Sequence, residues 1–354
     1  MVNVATAYPA TKARRRWRWL TRALLIVVLV LAAGAGVVYG YIRLERPQLD
    51  GSLDLPGLEA AASIVRDTRG IAHIRAQNVH DLMLAQGFAM AQDRLWQMEL
   101  MRRMGEGRLS EVFGPAALAV DKENRRLGLG RTAAAEATRL QPAEAALLTA
   151  FAEGVNDYID RRGALLPLEF RLLRYRPEPW QPLDSLALAA YMYNVLASGY
   201  DSKLMRETFT AKLGPALAAQ LFPERSPWDI PPGSYRAASG RPAGQRSELP
   251  VFAEVWGAGT GRHGGSNNWV VSGAHSFNGH PILANDPHLQ FQIPGLWWAA
   301  ELTSPRVEVA GVAITGVPGI IVGHNQAIAC GVTNSMADVQ DLYRETLDGK
   351  GNVL

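Results

Sequence analysis

The chain has 354 residues, 48% hydrophobic and 19% charged, enough for two or more domains with a sizeable core and too apolar for wholesale disorder. Its net charge of +3 is small and much of the excess sits early (Lys12, Arg14, Arg15, Arg16, Arg18, Arg22), so the body is near neutral and no nucleic-acid partner is indicated. The single cysteine, Cys330, excludes an intrachain disulfide, and the seven histidines are scattered without metal-ligand spacing.

Residues 1–22 form a basic segment, and residues 23–42 carry no charge. Twenty apolar residues are long enough to cross a bilayer as a helix, and arginines before them favour a cytoplasmic N-terminus. A signal peptide competes, because Ala33-Gly34-Ala35 offers a small-residue cleavage site. On either reading the rest of the chain lies outside the cytoplasm.

Residues 63–67 and 71–74 read as two strands around the turn Thr68-Arg69-Gly70. Asn78 is a good N-cap with Asp81 three positions on, and Leu84, Phe88, Ala91, Leu95 and Met98 then recur on one helical face. Gly87 inside that helix implies a close packing partner. Further helices are expected at 133–161, 185–197 and 201–213, so residues 43–222 make a mostly helical unit. Residues 223–265 gather Pro, Gly and Ser and read as a linker. Within it Gly259-x-Gly261-x-x-Gly264 matches a dinucleotide-binding pattern, but that pattern needs a helix after it and a strand follows here. Strands are expected at 268–272, 281–284, 297–302, 306–314 and 327–333. Cys330 in the last of these reads as a buried small hydrophobe, and Trp297 and Trp298 as core or pocket lining.

The boundary ends in Gly264-Gly265-Ser266-Asn267-Asn268-Trp269. By itself Gly-Gly-Ser is most simply a flexible linker. Its second reading is chemical: the glycines let the backbone distort before the serine, and a cut there would give Ser266 both a hydroxyl nucleophile and a free α-amine. An α-amine ionises at about 7.7–8.0 and can act as a base near neutral pH.

Several ordered stretches carry a resemblance. They are Arg66-Asp67 with Gly70-Ile71-Ala72-His73-Ile74, Ala91-Gln92-Asp93-Arg94-Leu95-Trp96-Gln97-Met98 with Arg102-Arg103, and Gly107-Arg108-Leu109-Ser110-Glu111. After the boundary come Gly265-Ser266-Asn267-Asn268-Trp269, Ala284-Asn285-Asp286-Pro287-His288-Leu289, Pro318-Gly319, Gly323-His324-Asn325, Gly331-Val332-Thr333-Asn334 and Asp338-Val339-Gln340-Asp341. The chain resembles the penicillin acylase family of N-terminal nucleophile hydrolases over nearly everything after residue 42.

That resemblance implies an α+β fold, an αββα sandwich formed by a second chain beginning at Ser266 and wrapped by a helical first chain. It implies autoproteolysis at Gly265-Ser266 to a two-chain heterodimer, then hydrolysis of a linear amide through an acyl-enzyme on Ser266. His288 would help position the α-amine or leaving group, and the backbone N–H of Asn334 would donate to the oxyanion. Asn267 would support the strand start or the processing geometry. Asp338, Gln340 and Asp341, with Glu207 from the helical unit, would hold a structural calcium. The implied substrate is an N-acylated small molecule such as a β-lactam side chain, an acyl-homoserine lactone or a lipopeptide, met in the periplasm by a protein held at the inner membrane. Family members have a far longer second chain than residues 266–354, so the sequence is expected to be an N-terminal fragment, inactive alone. A membrane-anchored binding protein without catalysis is the rival reading, and a metal-dependent hydrolase is disfavoured because no His-x-x-x-His or similar cluster is present.

Overall fold

A computed structural model describes residues 10–196, 199–222, 265–289, 292–334, 340–341 and 343–352. The expected linker, apart from Gly265, lies outside the described residues, as does Asp338.

Helix α1 (Ala10–Glu45) contains a stretch, Trp17–Gly40, whose most apolar 18 residues reach a mean hydropathy of 2.5, and none of those residues is buried. At about 1.5 Å per residue the stretch exceeds the roughly 30 Å of a bilayer's hydrocarbon. The expected hairpin follows as β1 (Ser63–Arg66) and β2 (Ala72–Arg75), paired antiparallel. Its turn is fixed by Asp67, whose Oδ1 accepts the Arg69 and Ile71 N–H groups at 2.8 and 2.9 Å, while Gly70 takes φ +79°.

Helix α2 (Val79–Glu106) is the axis of the molecule. Asn78 Oδ1 caps it by accepting from Asp81 N at 2.7 Å, and Gly107 closes it in the left-handed region at φ 67°. Short helices α3 (Ser110–Phe113) and α4 (Leu118–Leu127), not anticipated from the sequence, lead to α5 (Leu129–Ala137) and α6 (Pro142–Arg162). The single helix expected at 133–161 is thus two. Pro142 stands where its missing N–H costs no hydrogen bond, and Gln141 with Glu144 forms a capping box, so a new helix starts there. After α7 (Leu168–Leu172) come α8 (Pro182–Leu196), α9 (Tyr200–Leu213) and α10 (Pro215–Leu221).

The close partner implied by Gly87 is α6. A Cβ on Gly87 would lie 2.1 Å from Phe151 O, and one on Gly154 would lie 1.9 Å from Leu84 O, so the two backbones touch where each helix carries glycine. At the far end of α2 the motif residues form a buried ionic lattice. Glu99 accepts from Arg102 Nε at 2.7 Å, Arg103 Nε at 2.5 Å and the Tyr175 hydroxyl at 2.5 Å. Arg102 reaches Asp184 on α8 at 2.9 Å, and Arg103 reaches Glu111 on α3 at 2.7 Å.

The C-terminal half supplies β3 (Gly265–Val271), β4 (Ile282–His288), β5 (Trp297–Thr303), β6 (Glu308–Ile314), β7 (Val322–His324) and β8 (Ala329–Cys330). Six strands form one sheet in the order β1-β2-β5-β6-β7-β8, and β3 with β4 forms a separate ribbon. The fold is therefore mixed α+β. Strand β2, from the helical half, pairs parallel with β5 (Ile74 opposite Leu302), so the larger sheet contains both halves of the chain. Trp298 of β5 is buried and donates from Nε1 to Asp93 of α2 at 2.8 Å, which settles it as core. The turn after β6 is held by α2 as well: Gln86 donates to Gly319 O at 3.0 Å and accepts from Gly319 N at 2.9 Å. Cys330 is exposed, against expectation, because β8 has only two residues and lies at the edge of the sheet.

Candidate active site

The β3–β4 ribbon places the candidate nucleophile. Its register sets Gly265 opposite His288, Ser266 opposite Pro287, Asn267 opposite Asp286 and Asn268 opposite Asn285. Side chains alternate between the faces of a ribbon and cross-strand partners share a face. Ser266, Asn268, Asn285 and Pro287 therefore stand on one face, and Asn267, Asp286 and His288 on the other. Burial follows this division: along β4, Asn285 and Pro287 are half-buried while Asp286 and His288 are exposed. Pro287 has no N–H to offer Ser266 across the ladder.

The Ser266 face is covered by residues 331–334, the extended chain that leaves β8. Thr333 Oγ1 donates to Ser266 O at 3.2 Å. A Cβ on Gly331 would lie 2.7 Å from Asn268 Oδ1 and 2.9 Å from Asn285 Cβ, so only glycine lets this segment approach so closely. Asn334 donates from its side-chain Nδ2 to Leu196 O at the end of α8. The segment expected to furnish an oxyanion donor thus lies on the serine's side of the ribbon. His288 lies on the opposite side, across from Gly265, with Nε2 2.7 Å from Asp286 Oδ2. A carboxylate only accepts, so that pair needs the proton on Nε2.

The residues expected to hold calcium have other partners. The main-chain oxygen of Gln340 and Oδ1 of Asp341 both face Lys203 Nζ of α9, at 2.5 and 2.9 Å, and Gln340 Nε2 donates to Asn194 Oδ1 at 2.6 Å. Glu207 pairs with Arg344. Among the described residues no group of three or more His, Cys, Asp or Glu could hold a metal ion. These oxygens thus face an ammonium and a guanidinium, while Asp338, the remaining residue expected to hold calcium, lies outside the described residues. Lys203→Met should lower stability by about 1 kcal/mol, read from the thermal midpoint. A wild-type midpoint that falls in excess chelator would support calcium at these oxygens, and one that stays would count against it.

Residues 61–353 match the penicillin amidase family model. The chain is 37% identical over 306 residues to a penicillin acylase 2 proenzyme from Pseudomonas sp. (strain SE83), covering 84% of this chain and 39% of that protein. It is 33% identical to the acyl-homoserine lactone acylase QuiP of Pseudomonas aeruginosa, covering 87% of this chain and 37% of that one. A solved thermostable penicillin G acylase from Alcaligenes faecalis aligns with 48% of this chain and 95% of its own at TM-score 0.43 and 26% identity. The chain belongs to the penicillin amidase family. It spans about two-fifths of the length of the curated relatives named here.

Proposed function

We propose that the whole protein is a hydrolase of linear amides that matures by cutting itself between Gly265 and Ser266. The observation that carries this reading is the position of Ser266, preceded by glycine at the opening of β3, on the ribbon face covered by residues 331–334. In the first step Ser266 Oγ attacks the Gly265 carbonyl carbon, the peptide C–N bond breaks, and the acyl group passes to oxygen as an ester. Water hydrolyses the ester, leaving a carboxylate on Gly265 and a free α-amine on Ser266.

The mature site repeats this chemistry on its substrate. The Ser266 α-amine, acting through a water, takes the hydroxyl proton as Oγ attacks the substrate carbonyl. The amine product leaves protonated, and water then releases the acid. The backbone N–H of Asn334 stabilises the developing oxyanion, a reading supported by the path of its segment over the Ser266 face. His288, across the ladder from Gly265, helps position the α-amine or the leaving group, a reading supported by its place beside the bond that is cut. Asn267, on the His288 face, supports the strand start.

Relatives named as penicillin acylase and acyl-homoserine lactone acylase support an N-acylated small molecule as substrate. The name proenzyme supports a product of two chains, arranged as a sandwich of sheets wrapped by the helical half. The exposed apolar helix α1 supports export to the periplasm, with anchoring in the inner membrane.

Intact mass and N-terminal sequencing of the full-length protein test the reading. Wild type should yield a chain beginning Ser-Asn-Asn-Trp, and Ser266→Ala should stay whole and lose at least about 10³-fold in turnover. A folded wild type that stays whole would end the hydrolase reading and leave a membrane-anchored binding protein.

A further inference from the structure

We propose that Asn285 is a positioning residue: its one carboxamide sets the separation between the strand that carries Ser266 and the segment that carries Asn334. The inference rests on the hydrolase reading for its consequence, though not for its geometry. Asn285 Nδ2 donates to Asn267 O and to Val332 O, each at 2.8 Å, and Oδ1 accepts from Val332 N at 3.0 Å. Asn267 directly follows Ser266, and Val332 stands two residues before Asn334. The two segments lie far apart in sequence, and this side chain joins them.

Chemistry at this position selects asparagine. A carboxamide offers two N–H hydrogens and an acceptor oxygen, and all three roles are filled here by main-chain groups. The orientation is fixed too, because exchanging N and O would turn an N–H toward the Val332 N–H and a lone pair toward two carbonyls. Aspartate keeps the shape yet sets a carboxylate against both carbonyl oxygens. Serine is too short to span both partners, and glutamine inserts a methylene into a gap that Gly331 shows to be tight. The second tie between these segments, Thr333 Oγ1 to Ser266 O at 3.2 Å, is a lone hydroxyl bond and fixes direction less well.

An oxyanion donor is useful only at the right distance from the attacked carbon, and a displacement of about 1 Å costs roughly 10²-fold in rate. The test uses Asn285→Asp and Asn285→Ala in the full-length protein. Three quantities are read: the rate of self-cleavage by intact mass, kcat and KM on an N-acyl p-nitroanilide series, and amide hydrogen exchange of residues 331–334. Asn285→Asp should slow cleavage and lower kcat by about 10²-fold at neutral pH, with KM nearly unchanged. Relative to wild type it should recover toward acid, where the protonated carboxyl again donates a hydrogen bond. Exchange of the Val332 amide should rise in both variants. Wild-type cleavage and kcat in Asn285→Asp would overturn the proposal, and so would a loss matched in full by unfolding and relieved at lower temperature. If the wild type itself is never cut, the hydrolase reading fails separately. Exchange at Val332 then decides, and unchanged protection in Asn285→Ala would overturn the clamp.

Discussion

Gly154→Ala is expected to cost about 4 kcal/mol or more and to unfold the helical half at ordinary temperatures. Alanine is the better helix former by roughly 1 kcal/mol, so propensity alone favours the change at this interior position of α6. Contact decides otherwise. The added Cβ would stand 1.9 Å from Leu84 O and 2.9 Å from Phe88 N, both main-chain atoms of α2 that no rotamer change can move. The helices would have to separate, and Gly87 against Phe151 O, one turn along, would lose its fit with them. Losses above 4 kcal/mol are exceptional for one substitution and belong to a backbone clash of this kind. The denaturation midpoint in urea checks it, with Gly130→Ala as the control. There the nearest atom to the new Cβ is Glu106 Cα at 3.8 Å, an ordinary contact, and stability should hold or rise by up to about 1 kcal/mol. A Gly154→Ala protein as stable as that control would show that α2 and α6 do not meet through these glycines.

Glu99→Gln is expected to cost about 3–5 kcal/mol, read as a lowered thermal midpoint. The carboxylate is buried and answers two buried guanidiniums and a hydroxyl. Breaking a buried pair leaves charge without compensation, and that penalty exceeds what the pair contributed net. Replacing the lattice by apolar residues of similar volume need not be destabilising, so Glu99→Gln should be worse than a matched apolar redesign of Glu99, Arg102 and Arg103 together. The rim of the lattice sets its acid limit. Hydrogen bonds from Arg108, and then from Arg103, hold the Glu111 carboxyl at about 2 against partial burial that pushes it up. A lowered folded-state pKa gives stability that is present above the unfolded value of about 4.5 and disappears as the pH falls toward about 2. Glu111 is nearly half exposed, so solvent screening keeps that contribution well under what the shift alone would give. A midpoint that does not fall across this acid range faster in wild type than in Glu111→Gln would refute it.

The elements carried by local signals were legible in the sequence. The Asp67 turn, the Asn78 cap and the apolar period of α2 each specify their structure within a few residues, and Gly87 correctly announced a neighbour. What was not legible depended on residues distant in sequence. The split at Pro142 is the exception: proline and the Gln141–Glu144 capping box signal it locally, against a continuous helical pattern. Cys330 looked buried from its apolar neighbours, yet edge position, which no local pattern reports, left it exposed. Among the site residues, Ser266 and His288 were marked by the ordered motifs around them, while the face each would occupy depended on the β3–β4 register. Asn285 stood in a quoted motif with no role assigned, because its partners at 267 and 332 are defined only by the fold. Lys203 carried no signal at all, since a basic residue on a helix reads as solvated surface until Gln340 and Asp341 are seen beside it.

The parallel pairing of β2 with β5 has a consequence in time. These strands find each other while one covalent chain joins them, and closing that long loop costs only an entropy that grows slowly with length. The bond between Gly265 and Ser266 lies within the loop. Were it cut as proposed, the same pairing would become a meeting of two separate molecules, without the tether's effective concentration. The proposed cleavage would therefore work as a ratchet: a folded protein would keep its sheet, whereas one that unfolded afterwards would have to search at the dilution of its surroundings.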